Sequence, residues 1–403
     1  MNIRFPLILD GAMGTQLQKA GLPVGCCPEK WVLEHPEVCK AIQSAYVEAG
    51  SQVLYAPTFG ANAAMLEGHG IFSAVADFNE RLVGISREVA GEKALVAGDI
   101  SSLGAMLYPL GDMSFEDMFD IYREQATALE RAGVDLYVIE TMTGIPEARA
   151  ALLAVKTVSD KPVFVSFSCD KNGRTMMGTD VCAALLILQG MGADAFGLNC
   201  SAGPEEMLPQ LKRLYESAEI PLIAKPNAGL PVTVGGKTLY NVSPEAFAEL
   251  VPALADAGVS IFGACCGSDA RYIAAIKDAL RTVTLKGVCP VQTGRLPCAT
   301  EKEPFLLSPS AECSSVFACD DELEDNLCEL DEGELFGVKI TCHEDVAMLS
   351  DVQYAIKNPL RFFCDDAELL EKALRVYQGR ALYEGRLSDA ELLPLCKKYG
   401  LII

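Results

Sequence analysis

The chain has 403 residues, of which 50% are hydrophobic and 22% are charged, and its formal net charge at pH 7 is −22. This composition is typical of a protein with a large core and predicts one large domain plus a smaller one. The acidic balance argues against nucleic acid or an anionic membrane surface as a partner. No apolar run approaches the roughly 20 residues that span a bilayer. No charged segment followed by an apolar stretch opens the chain, so we expect a cytoplasmic protein.

Short apolar runs recur through the first 285 residues and predict the buried strands of a parallel sheet. Bounded by turn residues, each is of strand length. In chain order they are Leu7–Asp10, Gln52–Thr58, Leu95–Asp99, Leu136–Glu140, Val163–Ser168, Ala195–Cys200, Leu222–Pro226 and Ser260–Cys265.

Amphipathic runs alternate with these strands and predict helices. They are Pro36–Ala49, Ser73–Ala90, Ser114–Ala132, Pro146–Val158, Thr179–Met191, Pro204–Ser217, Ser243–Ala257 and Ala270–Val283. Eight strand–helix units of this kind predict a (β/α)8 TIM barrel. The alternative is an open doubly wound sheet, which favours a G-x-G-x-x-G turn after an early strand. The stretch from Asp10 to Thr15 has two glycines without that spacing.

Polar side chains and cysteines stand where the predicted strands end. In a (β/α)8 barrel these ends share one face, and catalytic groups lie there. A single such residue is as often structural as functional, but a ring of them around a thiol cluster favours a functional site. They are Asp10, Thr58, Asp99, Glu140, Ser168, Asn199 with Cys200, Asn227, and Cys265 with Cys266.

Three of the cysteines are placed to converge: Cys200, Cys265 and Cys266. Three thiolates suit a tetrahedral Zn²⁺ with one position left open. Consecutive strand residues point to opposite faces, so the adjacent pair shares one ion only if the chain has left the strand, and Gly267 permits such a turn. The alternative is that these thiols are small buried apolar side chains. The chain has 16 cysteines, which we expect to be reduced, and its three histidines disfavour a histidine-based metal site.

The remainder of the chain differs in character. Residues 286–315 carry scattered proline and glycine without sustained periodicity and predict a linker. Residues 316–403 predict a small α/β unit of unknown role, and its acidic run Asp320–Glu334 predicts a solvated surface. Its predicted strands are Val338–Thr341, Leu360–Phe363 and a short one at Leu401–Ile403, and its predicted helices are Val346–Ile356, Ala367–Tyr377 and Asp389–Tyr399.

Several motifs in residues 5–285 together resemble the homocysteine S-methyltransferase family. This family includes the homocysteine-binding barrel of cobalamin-dependent methionine synthase, betaine–homocysteine methyltransferase and S-methylmethionine-dependent enzymes. The matching stretches are Leu9–Thr15, Ile139–Thr141, Gly173–Thr175, Gly178–Asp180, Gly197–Ser201, Asn227–Pro231 and Cys265–Gly267. The chain departs from the family pattern at Pro57, where members commonly have Asn-Thr-Phe, and at Ala264 and Ser268 in the second cysteine motif.

The resemblance implies a zinc-dependent transfer of a methyl group to the thiol of homocysteine, which forms methionine. It implies zinc ligands at Cys200, Cys265 and Cys266. It also implies that Asp10 and Glu140 hold the homocysteine ammonium group and that the backbone amides around Gly11 and Ala12 receive the carboxylate. Asn199, in the first cysteine motif, is a further predicted substrate-binding residue.

The sequence does not identify the methyl donor by itself. The stretch Asn227–Pro231 is similar to the methionine-synthase branch, and no Asp-x-His-x-x-Gly cobalamin motif occurs. We therefore expect a methylcorrinoid donor, carrying methylcobalamin, on a separate protein or domain. The alternatives are an S-methylmethionine- or betaine-type donor, a non-catalytic docking barrel in a corrinoid methyl-transfer system, and a barrel that demethylates a small thiol or amine.

Overall fold

The protein is described here by a computed structural model that covers residues 3–72, 74–108, 111–234, 237–288 and 294–403. Eight strands of these residues form one parallel sheet: β1 (Leu7–Ile8), β2 (Val53–Tyr55), β3 (Leu95–Ile100), β4 (Leu136–Met142), β5 (Val163–Phe167), β6 (Ala195–Asn199), β7 (Leu222–Lys225) and β10 (Val259–Phe262). Their order in the sheet is β1-β10-β7-β6-β5-β4-β3-β2. Strands that are adjacent in this sheet are therefore consecutive among the eight in the sequence, with the first beside the last, as a (β/α)8 barrel requires.

The barrel closes between β1 and β2 at Gln52. Its backbone N–H donates to the carbonyl of Ile8 at 2.7 Å, and its side-chain oxygen accepts from the Ile8 N–H at 2.8 Å. Its carbonyl in turn accepts from the N–H of Leu95, the first residue of β3. The two edge strands are thus joined, and the predicted TIM barrel is confirmed.

The helices of the barrel follow the strands. They are α1 (Gly14–Lys19), α2 (Pro28–Glu34), α3 (Pro36–Ala49), α4 (Ala63–Gly68), α5 (Val75–Ala90), α6 (Phe115–Ala132), α7 (Ile145–Val158), α8 (Val181–Gly190), α9 (Pro204–Tyr215), α10 (Pro244–Glu249), α11 (Val251–Asp256) and α12 (Ala270–Leu280). Ser114 caps α6 in a capping box with Asp117, and Gly133 ends it in the left-handed conformation, at φ +78°. Ser73, where we predicted the start of one helix, lies outside the described residues.

The predicted helix Ser243–Ala257 is wrong in one respect, because the structure divides it into α10 and α11 at Leu250. Pro252 lies in the first turn of α11, and proline has no N–H with which to continue the hydrogen bonds of α10. The short helices α1, α2 and α4 and the hairpin β8 (Pro231–Val234) with β9 (Lys237–Tyr240) were not predicted. All of them lie in segments that leave the carboxyl ends of barrel strands.

The C-terminal extension adds a hairpin and a second parallel sheet. The hairpin joins β11 (Leu296–Ala299) to β12 (Pro304–Leu307) within the segment predicted as a linker. The sheet has the order β13-β14-β15-β16, from β13 (Val316–Phe317), β14 (Phe336–Lys339), β15 (Leu360–Phe363) and β16 (Leu382–Glu384). Its helices are α13 (Leu323–Glu329), α14 (His343–Asp351), α15 (Ala367–Val376) and α16 (Asp389–Tyr399), with a 3₁₀ turn at Gln353–Ala355.

The extension packs on the barrel through a shared core. Buried side chains of the barrel helices and of the extension belong to one continuous apolar cluster. The fully buried Arg149 of α7 donates to the Leu374 carbonyl and to the Gln378 side chain, both at 2.8 Å. Our division into a barrel at 1–285, a linker at 286–315 and a unit at 316–403 stays a prediction. In the described part of the chain, no helix combines the length and apolar character needed to cross a bilayer.

Arg149→Met tests how strongly the extension is joined to the barrel. The substitution leaves the Leu374 carbonyl and the Gln378 side chain buried without their donor, so we expect the free energy of unfolding to fall by about 2–4 kcal/mol. Urea denaturation measures it. The exposed Arg131→Met is the control and should stay within about 0.5 kcal/mol of the wild type. A change of that small size for Arg149→Met would contradict the shared core.

Candidate active site

A cavity of about 310 Å³ opens at the carboxyl ends of the barrel strands. It gathers residues at or after the ends of β1, β2, β3, β4, β6, β7 and β10, because the ends of parallel strands meet on one face. Among the predicted site residues, its lining includes Asp10, Gly11, Ala12, Asp99, Glu140, Cys200, Cys265 and Cys266.

The three predicted thiols lie together in this cavity. Their sulfur atoms are all within 4.8 Å of one another, and the Sγ atoms of Cys200 and Cys266 are 3.8 Å apart. Strand β10 ends at Phe262, so the chain has left the strand before it reaches the adjacent pair. Cys200 turns sharply after β6 with a φ of +57°, and Gly267 follows the pair at φ +84°.

These thiols fit a zinc ion. Tetrahedral Zn–S bonds of about 2.3 Å place two sulfurs about 3.8 Å apart, which agrees with the distance from Cys200 to Cys266. Within the described residues, this is the single group of three or more His, Cys, Asp or Glu side chains close enough to hold a metal. Hydrogen bonds from Cys265 and Cys266 lower the pKa of Cys200 to about 3, and the hydrogen bond with Cys200 raises the pKa of Cys266.

A buried ion network lies beside the thiols. The Lys225 ammonium, at the end of β7, is 3.4 Å from Asp10 Oδ1 and 3.5 Å from Glu140 Oε2. It also lies over the ring of Tyr55, 4.2 Å from the centroid. The second oxygen of Asp10 accepts from the Tyr55 N–H at 2.8 Å. Lys225 thus contacts both carboxylates that the sequence assigned to the substrate ammonium.

The network carries more carboxyl groups than cations. Asp99 is a third buried carboxyl of the cavity, and its Oδ1 has no hydrogen-bond partner in the described structure. Burial raises the pKa of Glu140 to about 7, although the charge of Lys225 opposes the shift. Burial, and then the charge of Glu140, raise the pKa of Asp99 well above its usual range. Lys225 is the one lysine or arginine among the described lining residues. A bound cation would therefore balance the excess of carboxyl groups in the cavity.

Asn199 does not line the cavity in the structure. It is fully buried, and its side-chain oxygen accepts from the Thr141 N–H and the Ser166 hydroxyl, both at 2.9 Å. Its amide nitrogen donates to the Thr141 hydroxyl at 2.7 Å and lies 3.5 Å from Glu140. The side chain therefore braces the end of β4, where Thr141 holds a φ of +60°. Its predicted contact with substrate stays a prediction that this geometry does not favour.

The predicted carboxylate site is also partly occupied by the protein itself. The Ala12 N–H donates to the Ser268 hydroxyl at 3.1 Å, and that hydroxyl donates to the Cys265 carbonyl at 2.7 Å. Gly11 has a clear structural requirement, because a Cβ there would lie 2.6 Å from the ring of Tyr46. The Tyr46 hydroxyl donates to the Ala12 carbonyl at 2.6 Å. This segment is thus fixed against α3 and against the loop that carries Cys265.

Sequence reasoning missed Lys225 and Ser268. A lysine in the otherwise apolar stretch Leu222–Pro226 was a signal, since a buried cation requires a buried partner. Thr58 was named, but the structure shows it as a brace, because its hydroxyl donates to the Asp99 carbonyl at 2.8 Å.

The barrel is similar in sequence to known proteins. The sequence model of a family described as Homocysteine S-methyltransferase matches residues 7–280. The methionine synthase of Mycobacterium leprae (strain TN) is 33% identical over 292 residues, which cover 68% of this chain and 24% of that protein. The methionine synthase of Mycobacterium tuberculosis (strain ATCC 25618 / H37Rv) is 32% identical over 295 residues, covering 69% and 25%. The match thus spans about a quarter of the length of these relatives.

Solved structures share the fold. The metallated form of the homocysteine methyltransferase MmuM from Escherichia coli is 25% identical with a TM-score of 0.57, and the match covers 68% of this chain and 95% of that one. The oxidized form of the same protein is 24% identical with the same TM-score and coverage.

Single substitutions of the three thiols test the proposed metal centre. Cys200→Ala, Cys265→Ala and Cys266→Ala should each lose most of the bound zinc, because each removes one of three ligands. Atomic emission on the purified, zinc-loaded variants measures this. The control is Cys169→Ala, a nearby cysteine outside the cluster, which should keep one zinc per chain. Full zinc in both Cys265→Ala and Cys266→Ala would show that the ligand assignment is wrong.

Proposed function

This chain belongs to the homocysteine S-methyltransferase family, as its sequence motifs predicted, and from that premise we propose that it methylates the thiol of homocysteine to form methionine. One observation carries the proposal: three thiols suited to zinc and a buried carboxylate pair line the same cavity. A thiol-binding group and an ammonium-binding group side by side match the two ends of a sulfur amino acid.

The chemistry follows from the residues. A free thiol has a pKa of about 8.5, so little thiolate is present at neutral pH. Cys200, Cys265 and Cys266 would hold a zinc ion, which would supply the Lewis acid that lowers the pKa of the substrate thiol. Asp10 and Glu140 bind the ammonium group and orient the sulfur toward the methyl carbon. Lys225 holds one oxygen of each carboxylate and so fixes the pair in place.

For the donor, we propose a methylcorrinoid on a separate protein or domain. The similar methionine synthases support this choice, and so does an apolar rim around the barrel mouth. Between β1 and α12, the exposed large apolar side chains of the described residues all lie in segments that follow the carboxyl ends of strands. These rim residues are Val24, Phe59, Phe72, Met106, Tyr108, Met176, Leu230 and Leu239. Exposed apolar side chains in the loops at the face where the cavity opens favour a surface for a macromolecular partner.

Glu140→Gln tests the ammonium site. The substitution removes the charge that pairs with the ammonium and spares the thiols. Hydrogen bonds to charged groups are worth roughly 1.5–3 kcal/mol, so homocysteine affinity should fall about 10- to 100-fold with zinc content unchanged. Titration calorimetry on the zinc-loaded chain measures the homocysteine affinity, and atomic emission measures the zinc content. Glu147→Gln is the matched control, since Glu147 is equally buried but outside the cavity. Unchanged affinity in Glu140→Gln would remove Glu140 from the site.

A rim substitution tests the protein-borne donor. Met176→Glu with Leu230→Glu places charge on the rim, where an apolar partner surface should no longer pack. We expect KM for a methylcorrinoid protein to rise at least about tenfold, while free methylcobalamin reacts as with wild type. Leu393→Glu, on the exposed face of α16, is the control.

The same assay separates the other donors. Turnover with S-methylmethionine or betaine, and none with the corrinoid donors, would contradict our choice of donor. Homocysteine binding without turnover on any methyl donor would instead favour the non-catalytic docking barrel.

A further inference from the structure

A tight turn of the C-terminal extension contacts a loop at the mouth of the barrel. The turn is Thr300–Glu303, which joins β11 to β12. The loop is residues 168–180, which leads from β5 to α8; we call it the mouth loop. The match to the family model ends at residue 280, so the turn lies outside the residues that this model covers.

The contacts between turn and loop are polar and specific. The Lys302 ammonium donates to the Met177 carbonyl at 2.7 Å, and the Lys302 carbonyl accepts from the Asp180 N–H at 2.9 Å. Arg174 reaches back from the loop, donating to the Lys302 carbonyl at 3.0 Å and pairing with Glu303 at 2.7 Å. Together these bonds hold the loop at its middle and at its end.

The turn is itself firmly held. The buried Thr300 hydroxyl accepts from the Glu303 N–H at 3.0 Å, which closes the turn. The preceding residue, Ala299, exchanges backbone hydrogen bonds with Arg380, and its carbonyl also accepts from the Tyr377 hydroxyl at 3.2 Å. The turn is therefore anchored in the extension, and through its bonds to the turn the mouth loop is tied to the extension as well.

The mouth loop forms hydrogen bonds with the segment that follows Glu140 and with the segment that follows Cys200. The Met177 N–H donates to the Thr143 carbonyl, three residues beyond Glu140. The Cys169 N–H donates to the Ser201 hydroxyl at 3.1 Å, and Ser168 and Ser201 share a hydrogen bond of 2.9 Å. Ser201 follows Cys200 and shares its left-handed backbone, at φ +55°. The loop thus supports the metal-ligand segment at one end and the carboxylate segment at the other.

We propose that the turn Thr300–Glu303 is a positioning element of the active site, with Lys302 as its principal residue. It holds the mouth loop against the ends of β4 and β6, and it sets the place of the exposed Met176 on the rim. The positioning role of the turn rests on the proposed methyl transfer, because the mouth loop matters to catalysis only if the cavity is the reaction site. The extension then contributes to the active site from beyond the family barrel.

Lys302→Met tests the contact without removing the rest of the turn. In the full zinc-loaded chain, amide hydrogen exchange over residues 174–179 should rise by about tenfold, the effect of losing one hydrogen bond to a charged group. Glu303→Gln should give a smaller increase in the same segment. The control is Lys156→Met, since the partly exposed Lys156 ammonium also donates one hydrogen bond, to Asp194 at 3.0 Å, at the opposite end of the barrel. Unchanged exchange over 174–179 in Lys302→Met would overturn the proposal.

Kinetics then separate positioning from general stability. For Lys302→Met, we expect kcat/KM with the methyl donor to fall about tenfold through misalignment, while zinc content and the global unfolding midpoint stay as in Lys156→Met. Lys302→Arg, which keeps a donor, should recover most of the loss. Faster exchange with unaltered kinetics would overturn the positioning role. A wild-type chain without methyl transfer would contradict the proposed function instead, and the exchange comparison would still decide on the contact.

Discussion

The buried charge of Lys225 is the constraint on which the site depends. An isolated buried ion costs several kcal/mol, so a lysine at the end of a core strand must have partners. Asp10 and Glu140 supply them from β1 and β4, at opposite parts of the barrel sheet. The same pairing offsets part of the cost of burying two carboxylates. Because Asp99 adds a third carboxyl, the cavity has more acidic groups than cations and favours the binding of one more cation next to its thiols.

The barrel itself was predictable from the sequence, because local signals and topology agree. Each strand is a short apolar run buried on both faces, and glycines such as Gly133 end helices before strands. The hairpin β8–β9 was missed because its strands have only four residues each and do not belong to the barrel sheet. Residues 286–315 lacked periodicity for a similar reason, since a tight hairpin such as β11–β12 depends on turn chemistry and on a surface to pack against.

The grouping of the three candidate thiols was predictable from the sequence, and the side chains that support the cavity were not. Cys200, Cys265 and Cys266 were named from position, and the structure brings them together. Asn199 was expected to face substrate, yet it braces Thr141 and Ser166, a contact between β4, β5 and β6 that no spacing reveals. The bond from Ala12 to Ser268 joins residues 256 positions apart, and the turn at Lys302 meets Met177 across 125. Such pairings follow from three-dimensional packing, so motif reading alone does not find them.

X-ray absorption at the zinc edge tests the central claim most directly, on the full chain with and without homocysteine. Three protein thiolates predict three sulfur neighbours at about 2.3 Å and one lighter atom in the free protein. Addition of homocysteine should raise the count to four sulfurs, because the substrate thiol takes the open position. Fewer than three sulfurs in the free protein, or a count that homocysteine leaves unchanged, would contradict the account.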